Sequence, residues 1–113
     1  MKVIERPRNS GKTQMLLHYM ELESDSVCVV RTEEIAKRVF ELARGLGLHL
    51  TGDRFLGITS EHIQAFCAMR DTGTKILVDD ADYIIKSYPK MGYDLCASAD
   101  VITISSQEVS DES

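Results

Sequence analysis

Short apolar runs alternate with amphipathic segments along this chain, and the alternation limits the folds open to it. The runs Val27–Val30 and Lys75–Val78 have the apolar composition of buried strands. Between them, Glu33–Arg44 shows the period of a helix with one apolar face. The positions of that face are Ile35, Val39, Ala43 and Leu46. Strands alternating with helices predict βαβ units in a parallel sheet with helices on both faces.

We therefore predict an α/β fold, a three-layer αβα arrangement with a mainly parallel sheet of about five strands. Further strands are expected at Val3–Ile4, Phe55–Thr59 and Asp100–Ile104, and further helices at Lys12–Glu23 and from Ser60 onward. Gly45 and Gly47 would end the second helix. A chain of 113 residues buries roughly two-thirds of its unfolded surface, enough for one core. We expect one domain over residues 1–106 and an acidic, flexible tail over residues 107–113.

Composition excludes several classes of protein. Apolar residues make up 43% and charged residues 27% of the chain, which is typical of a globular domain. No apolar run approaches the length of about 18 residues that spans a membrane, and the first residues lack a secretory core. The cysteines Cys28, Cys67 and Cys96 are widely spaced, which favours reduced, buried thiols over a zinc site. We expect a cytoplasmic protein that does not enter a membrane.

The charge is unevenly distributed. The formal net charge is −5, which disfavours binding of nucleic acid by bulk charge. Residues 1–12 nevertheless contain four basic side chains and one acidic side chain. This basic segment suits a compact anion such as a polyphosphate.

A candidate phosphate loop separates the first strand from the first helix. Gly11 would let the backbone approach a phosphate closely, and Lys12 would reach the β- and γ-phosphates. Thr13 would bind Mg²⁺ through its hydroxyl, and the helix N-terminus would add N–H donors. The predicted nucleotide-binding residues are Arg8, Asn9, Ser10, Gly11, Lys12 and Thr13.

Two carboxylates follow the apolar strand at residues 75–78. Asp79 is the candidate Mg²⁺ ligand, acting through water, because Mg²⁺ keeps much of its hydration shell. Asp80 stands where a general base would orient the attacking water, so Lys12 and Asp80 are the candidate catalytic residues. Asp82 would either support this site from behind or cap the next helix.

The last predicted strand runs into a short polar segment. Ser106 and Gln107 there are candidates for sensing the γ-phosphate. An ordinary polar loop leaving a strand explains the same residues equally well.

These segments resemble the two nucleotide-binding motifs of P-loop NTPases. Arg6–Thr13 resembles Walker A and Ile76–Asp80 resembles Walker B, in the additional-strand, RecA-like group that includes helicases and phage terminases. Arg8 stands three residues before Gly11, a position at which terminase-like loops often carry an arginine. The chain departs from the two motifs at two positions. Arg6 replaces the usual Gly of Walker A, and Asp80 replaces the usual Glu after Walker B, whose side chain is one methylene longer.

The resemblance implies an Mg²⁺-dependent ATPase, slow because of Asp80, that acts with DNA or a DNA-processing protein. A homo-oligomer is also implied, since a neighbouring subunit often supplies a catalytic arginine. The candidate arginines are Arg8, Arg31, Arg44, Arg54 and Arg70, of which position in the chain favours only Arg8. ATP is preferred to GTP because the chain contains no Asn-Lys-x-Asp run.

Three other functions stay open from the sequence. The chain could bind ATP without hydrolysing it and regulate a partner, as the residues at positions 6 and 80 suggest. It could be a small-molecule kinase, although residues 80–113 contain Lys86 and Lys90 but no Arg for a lid. It could also be an interaction protein without a ligand.

Overall fold

The structure, a computed structural model, describes residues 1–7, 11–59 and 73–105. Its strands are β1 (Lys2–Arg6), β2 (Ser26–Val30), β3 (Phe55–Gly57), β4 (Lys75–Val78) and β5 (Val101–Ser105). Its helices are α1 (Lys12–Leu22), α2 (Glu33–Gly45), α3 (Ala81–Ser87) and α4 (Pro89–Ser98), with a 3₁₀ turn at Gly52–Arg54. Within these residues, none of the helices has the length and apolar character needed to span a bilayer.

The five strands form one sheet in the order β1-β5-β4-β2-β3, and every pair is parallel. The register places Val3 opposite Ile102, and Val29 opposite Val78. The last strand of the described residues, β5, therefore lies between β1, which precedes the candidate phosphate loop, and β4, which precedes Asp79 and Asp80. The predicted parallel sheet of about five strands is confirmed.

Helices cover both faces of the sheet. On one face, α1 and α2 pack on the inward residues of alternate strand positions, including Cys28, Val30 and Leu77. On the other face, α3 and α4 pack on the intervening positions, including Val29 and Val78. The three-layer αβα prediction is confirmed, and α1 and α3 leave their strands towards opposite faces.

The sequence located α1 and α2 well but left residues 81–98 without an assignment. Two short helices, α3 and α4, occupy that stretch, and Pro89 is the first residue of α4. Proline is favoured at that position because the first N–H of a helix has no partner within the helix. The boundary between the two helices at Pro89 divides the apolar residues of this stretch into two segments, and each segment is too short to show a clear helical period.

Two details of the predicted elements are corrected. Leu46 is the C-cap of α2 and is 41% exposed, so it does not belong to the apolar face. β3 ends at Gly57, and Ile58 and Thr59 form a turn. The predicted helix from Ser60 and the tail at residues 107–113 lie outside the described residues.

Candidate functional site

The residues singled out from the sequence meet at the carboxyl ends of the strands. Lys12 and Thr13 begin the helix after β1, and Asp79 and Asp80 follow β4. α1 and α3 turn to opposite faces and β5 ends between them, which is the topology that favours a crevice, and we call this end of the sheet the crevice. Ligands of open α/β sheets bind in such crevices, at the point where the connections diverge.

Asp79 is the most tightly oriented side chain in the crevice. It is 4% exposed, and its two carboxylate oxygens accept hydrogen bonds from two hydroxyls. The Thr13 hydroxyl donates at 2.8 Å and the Thr103 hydroxyl donates at 2.6 Å. The contact with Thr13 joins α1 to β4 and brings together two oxygen groups of the kind that Mg²⁺ prefers.

Lys12 is buried, with 7% of its surface exposed, and its ammonium donates to the Ser105 hydroxyl at 3.2 Å. Among the described residues, no carboxylate forms an ion pair with it. A buried ammonium is costly unless an anion balances it. Its surroundings in the described part of the chain therefore suit a bound anion.

The turn before α1 requires glycine. Gly11 has φ 87° and ψ 17°, a left-handed conformation that side chains rarely adopt. The Gly11 carbonyl accepts the Met15 N–H at 3.0 Å, so the helix starts immediately after this turn. The 11-residue helix α1 thus begins at the crevice, where the unpaired N–H groups of its first turn favour an anion.

Asp80 also has a left-handed backbone, with φ 59° and ψ 48°. Asp tolerates this conformation better than longer side chains because it is short and polar. The Asp80 N–H donates to the Thr103 hydroxyl at 2.9 Å, so one buried threonine orients both neighbouring aspartates. Burial raises the pKa of Asp80, and the neighbouring Asp79 raises it further. The cations Arg31 and Lys12 oppose that rise in pKa.

Arg31 belongs to the crevice, although its position in the sequence did not distinguish it from the other arginines. It follows β2, and its Nε lies 3.5 Å from a carboxylate oxygen of Asp80. Its guanidinium stands over the Tyr83 ring, 4.8 Å from the centroid. Cation–π contact and charge together place the guanidinium beside the acidic pair.

Arg44 and Arg54 lie away from the crevice. Arg54 donates to the carbonyls of Met20, Glu23 and Ser26, so it ties the end of α1 to the start of β2. Arg44 is exposed on α2 and pairs with Glu41 at 3.4 Å. Both are structural or surface residues, and Arg8 and Arg70 lie outside the described residues.

The remaining predicted site residues divide in two. Asp82 accepts the Ser105 N–H at 3.4 Å, and the N-cap of α3 is Asp80, so Asp82 supports the end of β5 rather than capping the helix. The others lie outside the described residues: Arg8, Asn9, Ser10, Ser106 and Gln107.

Sequence reasoning missed Thr103. This side chain is fully buried in β5, in a strand whose other residues are mostly apolar. A buried polar residue in such a strand needs a hydrogen-bond partner, so a threonine among apolar strand residues was the sequence signal that could have identified Thr103. The identity of the partner depended on which strand lies beside β5.

Comparison with protein-family models, with curated proteins and with solved structures finds no match to this chain. In the described part of the chain, no three His, Cys, Asp or Glu side chains form a metal-binding group. A cation held by one carboxylate, one hydroxyl, water and phosphate oxygens is characteristic of Mg²⁺ sites. The donors present therefore fit Mg²⁺ with a polyphosphate better than a metal enclosed by protein ligands.

Proposed function

We propose that this chain is a P-loop nucleoside triphosphate-binding protein and an Mg²⁺-dependent ATPase. The observation that carries the proposal is the 2.8 Å contact between the Thr13 hydroxyl and the Asp79 carboxylate, across 66 positions of sequence. In P-loop NTPases a hydroxyl after the loop lysine and a strand-end Asp together hold the metal. A chance Gly-Lys-Thr gives no reason for these two groups to meet.

Each neighbouring residue has a role in this proposal. Lys12 would bind the β- and γ-phosphates, and the N–H groups after Gly11 would bind phosphate oxygens. Thr13 and Asp79 would hold Mg²⁺, which neutralises charge on the phosphates when bound. Asp80 would orient the attacking water, and its short side chain supports slow turnover.

The sheet order supports the additional-strand group within the P-loop NTPases. β5 is inserted between the strands that end in the two motifs, which is the feature that the name of the group describes. The net charge of −5 makes unaided binding to DNA weak. We propose a cytoplasmic, helicase- or terminase-like ATPase that works on DNA through a protein partner or in a homo-oligomer.

A non-hydrolysing ATP-binding regulator is the second candidate. The ion pair between Asp80 and Arg31 favours it, because a carboxylate engaged by a cation is less free to orient a water molecule. Both candidate functions predict that the protein binds ATP, and only the ATPase predicts sustained release of phosphate.

The test compares the wild type with Lys12→Ala and with a matched control, Lys37→Ala, which removes an exposed lysine of α2. Thermal unfolding is followed with ATP and Mg²⁺, and phosphate release is measured in parallel. We expect the wild type and the control to gain about 3 kcal/mol at ligand near 100 times Kd. Lys12→Ala should gain almost nothing and release no phosphate.

Stabilisation without phosphate release would favour the regulator. The absence of binding for ATP, GTP, CTP and UTP alike would overturn both candidates.

A further inference from the structure

β1 lies at one edge of the sheet, and in the part of the chain that the structure describes no strand pairs with its outer side. The Lys2 N–H donates to the Asp100 carbonyl at 2.8 Å, so the backbone of Lys2 points towards β5. Alternate residues of a strand direct their N–H and C=O groups to the same side. The N–H and C=O groups of Val3 and Glu5 therefore point away from β5, and the described sheet does not use them.

The opposite edge of the sheet, β3, is closed by its own chain. The Ile58 N–H donates to a carbonyl of β2 at 2.8 Å, so Phe55 and Gly57 carry the outward N–H groups. The Phe55 N–H donates to the Gly52 carbonyl. The Gly57 N–H donates to the Glu33 carboxylate at 3.2 Å. Proteins protect sheet edges because an open edge pairs with other strands, and β1 is the edge that stays open among the described residues.

The side chains of β1 define what can pair with it. Ile4 is buried in the core beneath α1, and the exposed side chains of Lys2 and Arg6 share its face of the sheet. Val3 and Glu5 point to the other face, and Val3 is 49% exposed there. The edge thus presents two cations on one face, and an apolar β-branched residue with one anion on the other.

These charges specify the chemistry of a complementary strand. Antiparallel pairing is the more stable arrangement per residue, and residues directly opposite each other share a face of the sheet. Acidic side chains opposite Lys2 and Arg6 and a basic side chain opposite Glu5 form favourable pairs. A β-branched side chain opposite Val3 covers its exposed surface.

The same charges disfavour pairing of β1 with β1 of a second copy. The two-fold register centred on Ile4 pairs all five residues of the strand, but it sets Lys2 directly opposite Arg6 at both ends. Like charges directly opposite each other destabilise a pair of strands. Shifted registers pair fewer residues of β1. A partner of different sequence therefore suits this edge better than a second copy does.

We propose that the outer edge of β1 binds an extended segment of a partner protein, which joins the sheet as a further, antiparallel strand. The segment carries acidic residues opposite Lys2 and Arg6, a β-branched residue opposite Val3 and a basic residue opposite Glu5. Backbone hydrogen bonds supply affinity, and the alternating side chains supply specificity. Binding at this edge needs no nucleotide, so the inference goes beyond the proposed function and can fail independently of it.

The test uses a synthetic peptide, Thr-Glu-Lys-Thr-Val-Glu-Thr, with both ends capped. Its Val lies opposite Val3 and its central Thr opposite Ile4. Methylation of the Val nitrogen removes an N–H that donates to β1, whereas methylation of the central Thr nitrogen removes an N–H that points away from β1. The two methylated peptides have the same charge and composition, so they separate strand addition from attraction between charges.

Binding is followed on the full chain by amide hydrogen exchange, measured by NMR. We expect the amides of Val3 and Glu5 to exchange rapidly in the free protein and about tenfold more slowly at peptide near 10 times Kd. The Ile4 amide, which points towards β5, should keep its rate and serves as the internal control. Methylation at Val should raise Kd at least about tenfold, and methylation at the central Thr less than about threefold.

A charge exchange tests the specificity. Lys2→Glu combined with Arg6→Glu should raise Kd for the peptide about tenfold. That double variant should instead prefer a peptide in which Lys replaces both Glu residues. The matched control, Lys37→Glu with Arg38→Glu, changes the net charge equally on the exposed surface of α2 and should keep the wild-type Kd.

Equal Kd values for the two methylated peptides, or no binding of the parent peptide at about 1 mM, would overturn the inference. Slow exchange of Val3 and Glu5 without peptide would also overturn it, because the edge would already be occupied. Protection that rises with protein concentration would identify a second copy, and protection independent of concentration would identify the chain itself. If the double variant unfolds, the methylated peptides on the wild type decide the question. The nucleotide-binding test of Lys12→Ala stands apart from all of these outcomes.

Discussion

At the scale of single residues, one hydroxyl organises the acidic side of the crevice. Thr103 donates to Asp79 and accepts from the Asp80 N–H, so both capacities of its hydroxyl are used. The residue is completely buried, which makes either partner costly to leave unpaired. The backbone at Asp80 is left-handed, which also gives a physical reason for Asp rather than the longer Glu at that position.

Replacing Thr103 with Val keeps the shape of the side chain and removes the hydroxyl. We expect the free energy of unfolding to fall by about 1–3 kcal/mol, because Asp79 and the Asp80 N–H each lose a buried partner. Kd for Mg²⁺-nucleotide should rise as Asp79 loses its orientation. Urea unfolding and calorimetry measure the two effects.

Thr103→Ser is the control for that prediction, since it keeps the hydroxyl and removes one methyl group. It should cost about 1 kcal/mol or less. Equal stability and equal nucleotide affinity of Thr103→Val and the wild type would contradict the role assigned to the hydroxyl.

At the scale of elements, β3 and the start of α2 approach each other closely. A Cβ at Gly57 would lie 2.4 Å from backbone atoms of both Thr32 and Glu33. The Gly57 N–H also donates to the Glu33 carboxylate at 3.2 Å, so the edge strand is bound to the helix N-terminus. This contact holds the end of β2, and therefore Arg31, in place.

Gly57→Ala should destabilise the protein by about 3 kcal/mol, because backbone atoms cannot move aside as a flexible side chain can. The control is Gly45→Ala, at the end of α2, where a Cβ meets nothing within 4 Å. Alanine there should be neutral or stabilise by up to about 1 kcal/mol. Urea unfolding ranks the two variants, and similar free energies for both would disprove the close approach.

At the scale of the whole molecule, the net charge of −5 conceals two regions of opposite character. Lys12, from the basic segment near the start of the chain, and the aspartates after β4 lie at the same end of the sheet. The proposed nucleotide would meet Lys12 and Arg31 at this end of the sheet, but also Asp79, Asp80 and Asp82. The proposed function therefore requires a divalent cation that would offset the repulsion between those carboxylates and the phosphates.

We expect ATP to bind at least about tenfold more weakly in EDTA than in Mg²⁺, an effect of about 1.4 kcal/mol or more. Asp79→Asn should reduce that dependence, because it removes both a metal ligand and a repelling charge. Asp94→Asn, on the exposed surface of α4, is the matched control and should keep the wild-type dependence. Titrations with and without Mg²⁺ measure both, and equal wild-type affinities in the two buffers would contradict the prediction.

Local sequence patterns were sufficient for much of this protein. The period of Glu33–Arg44 predicted a helix, because burial on one face sets the spacing of apolar residues. The continuous apolar run at Lys75–Val78 predicted a strand, because a strand covered on both faces buries successive residues. Gly11 and the polar residues beside it marked a loop before a helix, since only glycine adopts that turn at little cost. The order of these elements was enough to predict an αβα fold.

The partners of each side chain depended on the tertiary structure. Lys12 meets Ser105 across 93 positions, and this contact exists because β5 lies beside β1. Arg31 and Thr103 join the crevice because their strands flank β4 in the sheet. Strand order results from how the helices pack on both faces, which no local pattern encodes. The sequence by itself therefore determined the strands, the helices α1 and α2 and the two motifs, while the packed sheet alone decided which side chains complete the site.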